Sequence, residues 1–222
     1  MTSARSQILG SIRANLERSP TRDAHHPASA GLNESLTGEQ GDSAMQPDIV
    51  STFIANFQAV GGILHTATDP QEAGAVIDGI LSDLAPAAIA ISDSPVIEEI
   101  MNLVDTGSEI MRVAQPSDLF RCDVGLTSAQ WGIAETGTLV LESSKEFSRL
   151  TSLVPEAHIC VIRAEQIRRS MSEILDVLNN DLSPTITFIT GPSRTSDIEL
   201  TLAIGVHGPR ALYLILIRQD VP

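Results

Sequence analysis

From Asp48 onward the chain alternates short, continuous apolar runs with segments whose apolar residues recur every three to four positions. Strands covered on both faces read as unbroken apolar runs, because the crossover helices of a parallel sheet shield each side from water. The runs at 63–66, 87–91, 109–114, 123–127, 137–142, 158–163, 184–190 and 211–217 are therefore read as strands. Helical spacing covers 49–60, 70–84, 95–104, 165–179 and 197–204. Gly61-Gly62 closes the first helix, and Asp69-Pro70 opens the second with a capping residue and a proline at the first helical position. The expectation is an α/β domain, a largely parallel sheet with helices on both faces. Little helix separates the strands between 123 and 163, so an antiparallel excursion is expected there.

Ahead of this pattern, Ile8, Leu9, Ile12 and Leu16 fall on one face at helical spacing, which predicts an amphipathic helix within residues 1–18. Residues 19–47 are rich in Ser, Pro, Gly, Asp, Glu and Asn and read as a flexible linker. The α/β domain is then 48–222. Aromatic residues make up only 3% of the chain, so its core has to be built from Ile, Leu, Val and Ala.

A net charge of −14 repels phosphate backbones, and no basic stripe with interleaved aromatics is present, so no nucleic-acid partner is expected. The longest apolar run, Ala211 to Ile217, has seven residues, against roughly 18 for a bilayer span. No apolar stretch follows Arg5 in the manner of a secretory signal. A cytoplasmic protein without membrane insertion is the expectation. The two cysteines cannot form a disulfide framework, and an iron–sulfur cluster normally takes four thiolates or two helped by two histidines. The chain is therefore expected to hold no redox centre, no cofactor and no metal. Cys160 sits in an apolar run and reads as core; Cys122, between Arg121 and Asp123, is left open.

Three segments are too polar and too rich in glycine for their surroundings. Ala134-Glu135-Thr136-Gly137-Thr138 enters an apolar strand; Glu135 is a candidate base or nucleophile, or Glu135 and Thr136 only satisfy turn amides. Thr190-Gly191-Pro192-Ser193-Arg194-Thr195 leaves a strand, and Ser196 with Glu199 fits a capping box for a helix starting near Asp197. A loop at the carboxyl end of a parallel strand, with free helix amides beside Arg194, would receive a carboxylate or phosphate. Gly205-Val206-His207-Gly208-Pro209 offers His207 as a proton donor or acceptor, or as an ordinary helix terminus. Fingerprints for dinucleotides, Walker loops, hydrolase elbows and zinc pairs are absent from the sequence.

These segments, together with Leu153-Val154-Pro155 and His158-Ile159, closely resemble the lactate-utilisation protein C family, the stand-alone form of the LUD domain. The resemblance covers roughly 48–218. It implies a fold like the glucosamine-phosphate isomerase, ribose-phosphate isomerase and CoA-transferase group. It further implies a bacterial role in oxidising L-lactate to pyruvate beside iron–sulfur partner proteins. Glu135, Thr136, Gly137, Gly191, Ser193, Arg194, Asp197, Glu199, His207 and Gly208 map onto its motifs. The expectation is that they converge on one pocket, with Glu135 and His207 catalytic and the others binding a small anionic metabolite. A stand-alone isomerase or acyl-CoA transferase, and a scaffold whose motifs only close turns, are the alternatives.

Overall fold

The computed structural model describes residues 48–112, 117–146, 149–178, 183–196, 202–204 and 208–218. The expected N-terminal helix and linker lie outside the described residues. The described chain runs α1 (Ile49–Ala59), β1 (Ile63–Ala67), α2 (Pro70–Leu84), β2 (Ala88–Ile91), α3 (Pro95–Met101) and β3 (Glu109–Arg112). It continues with β4 (Val124–Ser128), β5 (Trp131–Ile133), β6 (Thr138–Glu142), the short α4 (Ser143–Glu146), β7 (Ala157–Arg163) and β8 (Ile167–Arg168). It ends with α5 (Met171–Leu178), β9 (Ile186–Ile189), β10 (Arg194–Ser196), β11 (Leu202–Ile204) and β12 (Ala211–Ile217).

Six strands form one wholly parallel sheet in the order β1-β12-β7-β4-β2-β3. The expected antiparallel excursion is a second sheet, β8-β5-β6-β9, in which β5 and β6 form a hairpin and β9 runs antiparallel to β6. On one face of the large sheet, Ile77, Ile80 and Leu81 of α2 and Ile97 and Ile100 of α3 pack against Ile89, Leu126, Ile159 and Ile215. On the other, Phe53 and Phe57 of α1 and Leu139 and Leu141 of β6 pack against Cys160, Ile162, Leu212 and Leu214. The second face is thus shared by a helix and the small sheet.

Local signals explain the well-matched boundaries. The Asp69 carboxylate accepts from the Glu72 amide at the start of α2, and Pro70 occupies a position where no amide hydrogen is needed. Two expected helices are corrected. Within 165–179 the chain first makes a 3-10 turn, 164–166, and then β8, because Ile167 and Arg168 pair with Gly132 and Ile133; the helix begins only at Met171. The helix expected at 197–204 gives way at 202–204 to β11, whose Leu202, Ala203 and Ile204 pair antiparallel with Ser196, Thr195 and Arg194. The start expected for this helix, near Asp197, lies outside the described residues.

Gly137 and Gly79 test this packing from opposite sides. Gly137 has φ +65°, and a Cβ there would lie 2.3 Å from the Phe57 amide nitrogen. Gly137→Ala should cost at least about 2 kcal/mol in urea unfolding, from the left-handed backbone and the displaced helix. Gly79, exposed within α2 with nothing within 4 Å of its Cβ position, should gain about 0.5–1 kcal/mol on substitution by Ala.

Candidate functional site

The order of the parallel strands fixes where a ligand can sit. The chain leaving β2 re-enters the sheet at β3 on one side, whereas the chain leaving β4 re-enters at β7 on the other. Connections that depart in opposite directions open a crevice at the carboxyl ends of the two strands, the switch point at which open α/β sheets bind ligands. A cleft of about 590 Å³ lies there, lined by Ser94, Glu99, Ser128, Gln130, Lys145 and Arg163 among others. A smaller cleft of about 450 Å³ lies at the amino ends of the strands. The carboxylates there are already engaged: Asp123 accepts from the Ala87 and Ala88 amides, and Glu156 pairs with Arg210 at 3.9 Å.

The floor of the carboxyl-end cleft is polar and organised by Glu146, which is only 2% exposed. The Ser128 amide donates to its Oε2 at 3.0 Å. The Ser128 hydroxyl and the Gln130 amide group donate to its Oε1 at 2.5 and 2.7 Å. The Ser94 and Ser128 hydroxyls lie 2.8 Å apart, so a hydrogen-bond chain runs from the cleft wall to the carboxylate. Burial drives the Glu146 carboxyl above its ordinary range, against the Ser128, Ser92 and Gln130 groups that favour the ionised form. The Ser92 Oγ faces the same carboxyl, buried and without an aligned hydrogen bond.

The motif loops gather elsewhere. Gly61-Gly62 leads into β1 and Gly208-Pro209 into β12, so the cluster they form sits by the amino ends of those strands. The Asn56 side chain donates to the Ala134 carbonyl at 2.7 Å, and Gly137 lies against the Asn56–Phe57 backbone. Gly191, with φ +83°, lies against the Val60 carbonyl, to which Arg194 Nη2 donates at 2.9 Å. The Ser193 amide donates to the Pro209 carbonyl, and Ser193 packs on Gly208. The hydroxyls of Thr136, Thr138 and Thr190 join the first two loops at 2.7 Å each. Glu135 turns to another task, its Oε1 accepting from the Met171 amide at the start of α5.

The structure therefore brings Thr136, Gly137, Gly191, Ser193, Arg194 and Gly208 into one neighbourhood around the end of α1. Asp197, Glu199 and His207 lie outside the described residues. Residues 190–194 leave β9, an antiparallel member of the small sheet, and not the carboxyl end of a parallel strand. Arg194 begins the β10–β11 ribbon, and the helix N-terminus expected beside it lies outside the described residues.

The family-level comparison agrees with this architecture. The model of the LUD domain family matches residues 50–217. The chain belongs to the LUD domain family. Lactate utilization protein C of Bacillus subtilis (strain 168) is 34% identical over 119 residues, covering 50% of this chain and 48% of that protein. The protein of the same name from Deinococcus radiodurans is 37% identical over 117 residues, covering 50% and 55%. An uncharacterized protein of Neisseria meningitidis serogroup B is 42% identical over 101 residues, covering 44% and 43%. The matches span about half the length of these curated relatives. Among solved structures, a DUF162 family protein from Deinococcus radiodurans superposes with a TM-score of 0.60 at 26% identity, covering 76% of this chain and 96% of that one.

The carboxyl-end cleft could not be read from the sequence because its members are scattered, although one signal was present. The apolar strands β2 and β4 both run out into small hydroxyl residues, Ser92 and Ser94 after one and Thr127-Ser128 ending the other. Both cysteines are buried, and burial pushes their thiols up, which settles the open position Cys122 as part of the core beside Met111. No helix among the described residues is long and apolar enough to cross a membrane.

His158, fully buried on β7, shares a 2.8 Å hydrogen bond with the Thr127 hydroxyl and leaves Nδ1 without a partner. Burial lowers its pKa from 6.5 to about 3. The unfolded chain then binds the proton first, so stability held above pH 6.5 is lost as the pH falls toward 3. Glu146, raised by burial, acts with the opposite sign. Urea midpoints of His158→Gln should fall less between pH 7 and pH 5 than those of the wild type.

Proposed function

We propose that this chain is a component of a lactate-utilisation system that binds a small carboxylate or similar anion in the carboxyl-end cleft. The observation that carries the reading is the meeting of Lys145 and Arg163 over a serine-lined floor at the sheet's switch point. The lactate context comes from the relatives named lactate utilization protein C. In this reading the chain holds no redox centre itself and works beside iron–sulfur partner proteins that carry the electrons. Arg163 supplies a planar fork suited to a carboxylate, and Lys145 a mobile second charge.

A second reading keeps the anion at the motif cluster. Arg194 is exposed, gives one hydrogen to the Val60 carbonyl, and forms no ion pair with a carboxylate among the described residues. Glu135 and His207 would then exchange protons with the bound metabolite, with Asp197 and Glu199 near it. Turnover of a phosphorylated or CoA-linked metabolite by the isolated chain would instead support an isomerase or transferase.

A deletion strain growing on L-lactate separates these readings. Wild type should restore growth, Arg163→Ala should fail to, and Arg194→Ala should succeed. In calorimetry with L-lactate, losing a charge-assisted contact at Arg163 should cost about 1.5–3 kcal/mol, or roughly 10- to 150-fold in affinity. If Arg194→Ala alone loses growth and binding while remaining folded, the site belongs to the motif cluster.

A further inference from the structure

The carboxyl-end cleft poses an electrostatic problem for the anion assigned to it. Its charged groups are Lys145 next to Glu146 on α4, Arg163 from β7, Glu99 from α3 and the buried Glu146 itself. With both carboxylates ionised they cancel the two cations, and an arriving carboxylate meets no net attraction. It also approaches a buried negative charge connected to the cleft wall through the hydroxyls of Ser128 and Ser94. Protonation of Glu146 leaves the cleft with one net positive charge, matched to a monocarboxylate.

The surroundings of Glu146 suit both of its forms. The ionised form is satisfied by three donors, the Ser128 amide, the Ser128 hydroxyl and the Gln130 side chain. The neutral acid has a hydrogen to give, and the Ser128 hydroxyl beside Oε1 can accept it while donating its own to the Ser94 hydroxyl 2.8 Å away. The remaining titratable group coupled to it is the Cys160 thiol of β7, held protonated by burial and by the Glu146 charge. It therefore does not compete for the proton.

We infer that the cleft takes up a small carboxylate together with one proton, and that Glu146 receives the proton. This deepens the reading of the cleft as the anion site and rests on it. The balance is simple: anion and proton enter together, one O–H bond forms at the Glu146 carboxyl, and nothing is oxidised. The hydroxyls of Ser94 and Ser128 provide the path, each passing on one hydrogen as it accepts another. Desolvation, which already favours the neutral acid, lowers the cost of the uptake.

The test is calorimetric titration of L-lactate, with pyruvate and inorganic phosphate as further probes, into the full chain between pH 5 and pH 8. Each pH is measured in two buffers of different ionisation enthalpy. Above the Glu146 transition the wild type should take up about one proton per lactate, and affinity should fall about tenfold per pH unit. Glu146→Gln, fixed as a neutral side chain, should bind with an affinity independent of pH and with heats independent of buffer. Ser128→Ala keeps the carboxyl but removes a donor to its ionised form, so proton uptake should persist to higher pH. Wild-type binding with no proton uptake at any pH would overturn the coupling and leave the anion site standing. Absence of binding by all three probes across the range would overturn the anion site and the coupling together.

Discussion

The C-terminal turn of α1 leaves no room for side chains on the loops that meet it, and the placement of the small sheet depends on that constraint. Phe57 occupies the space where a Cβ on Gly62 would lie, and the backbone of Asn56 and Phe57 occupies the space beside Gly137. Gly191 approaches the Val60 carbonyl just as closely. Close approach of this kind converts three separate turns into one packed unit, because each contact fixes the backbone on both sides of it. The threonine hydroxyl chain and the Asn56 hydrogen bond then satisfy polar groups that the approach withdraws from water.

Anchoring the hairpin tip at α1 has a consequence at its other end. The hairpin base emerges from β4 at Ser128 and Gln130, and β6 runs straight into α4, so the tip contacts help hold Glu146 beneath the cleft. Glycine contacts at the amino ends and a buried carboxylate at the carboxyl ends are thus two ends of one lever. This gives the motif residues a physical task even where they touch no ligand. Glu135 illustrates it by starting α5, and Arg194 by closing on the last turn of α1.

Much of the parallel sheet was legible in the sequence because burial on both faces leaves an unambiguous record. The run Ala211 to Ile217 is a strand with the bounds read from its apolar residues, and α2 begins where Asp69-Pro70 indicates. What failed was set by pairing at a distance. Ile167-Arg168 looks like the start of a helix until Gly132-Ile133 offers it a ladder, and 202–204 fits a helix until Arg194–Ser196 lies beside it. The cluster of motif loops was readable, but its end of the sheet was not. That depends on β9 belonging to the antiparallel sheet, which no local pattern records.

Glu146 was invisible for a related reason. In sequence it ends a polar segment, Glu142-Ser143-Ser144-Lys145-Glu146, indistinguishable from a solvated helical turn. Its burial comes from Ser128 and Gln130, 18 and 16 residues earlier, which are brought to it by the hairpin. A carboxylate placed there by packing carries a desolvation cost, and an amide could not take over its hydrogen bonds, because donors reach both of its oxygens. Glutamine at 146 would present an amide hydrogen to a group that already donates, whereas a carboxyl group can accept from all three donors and, once protonated, give its hydrogen to the Ser128 hydroxyl.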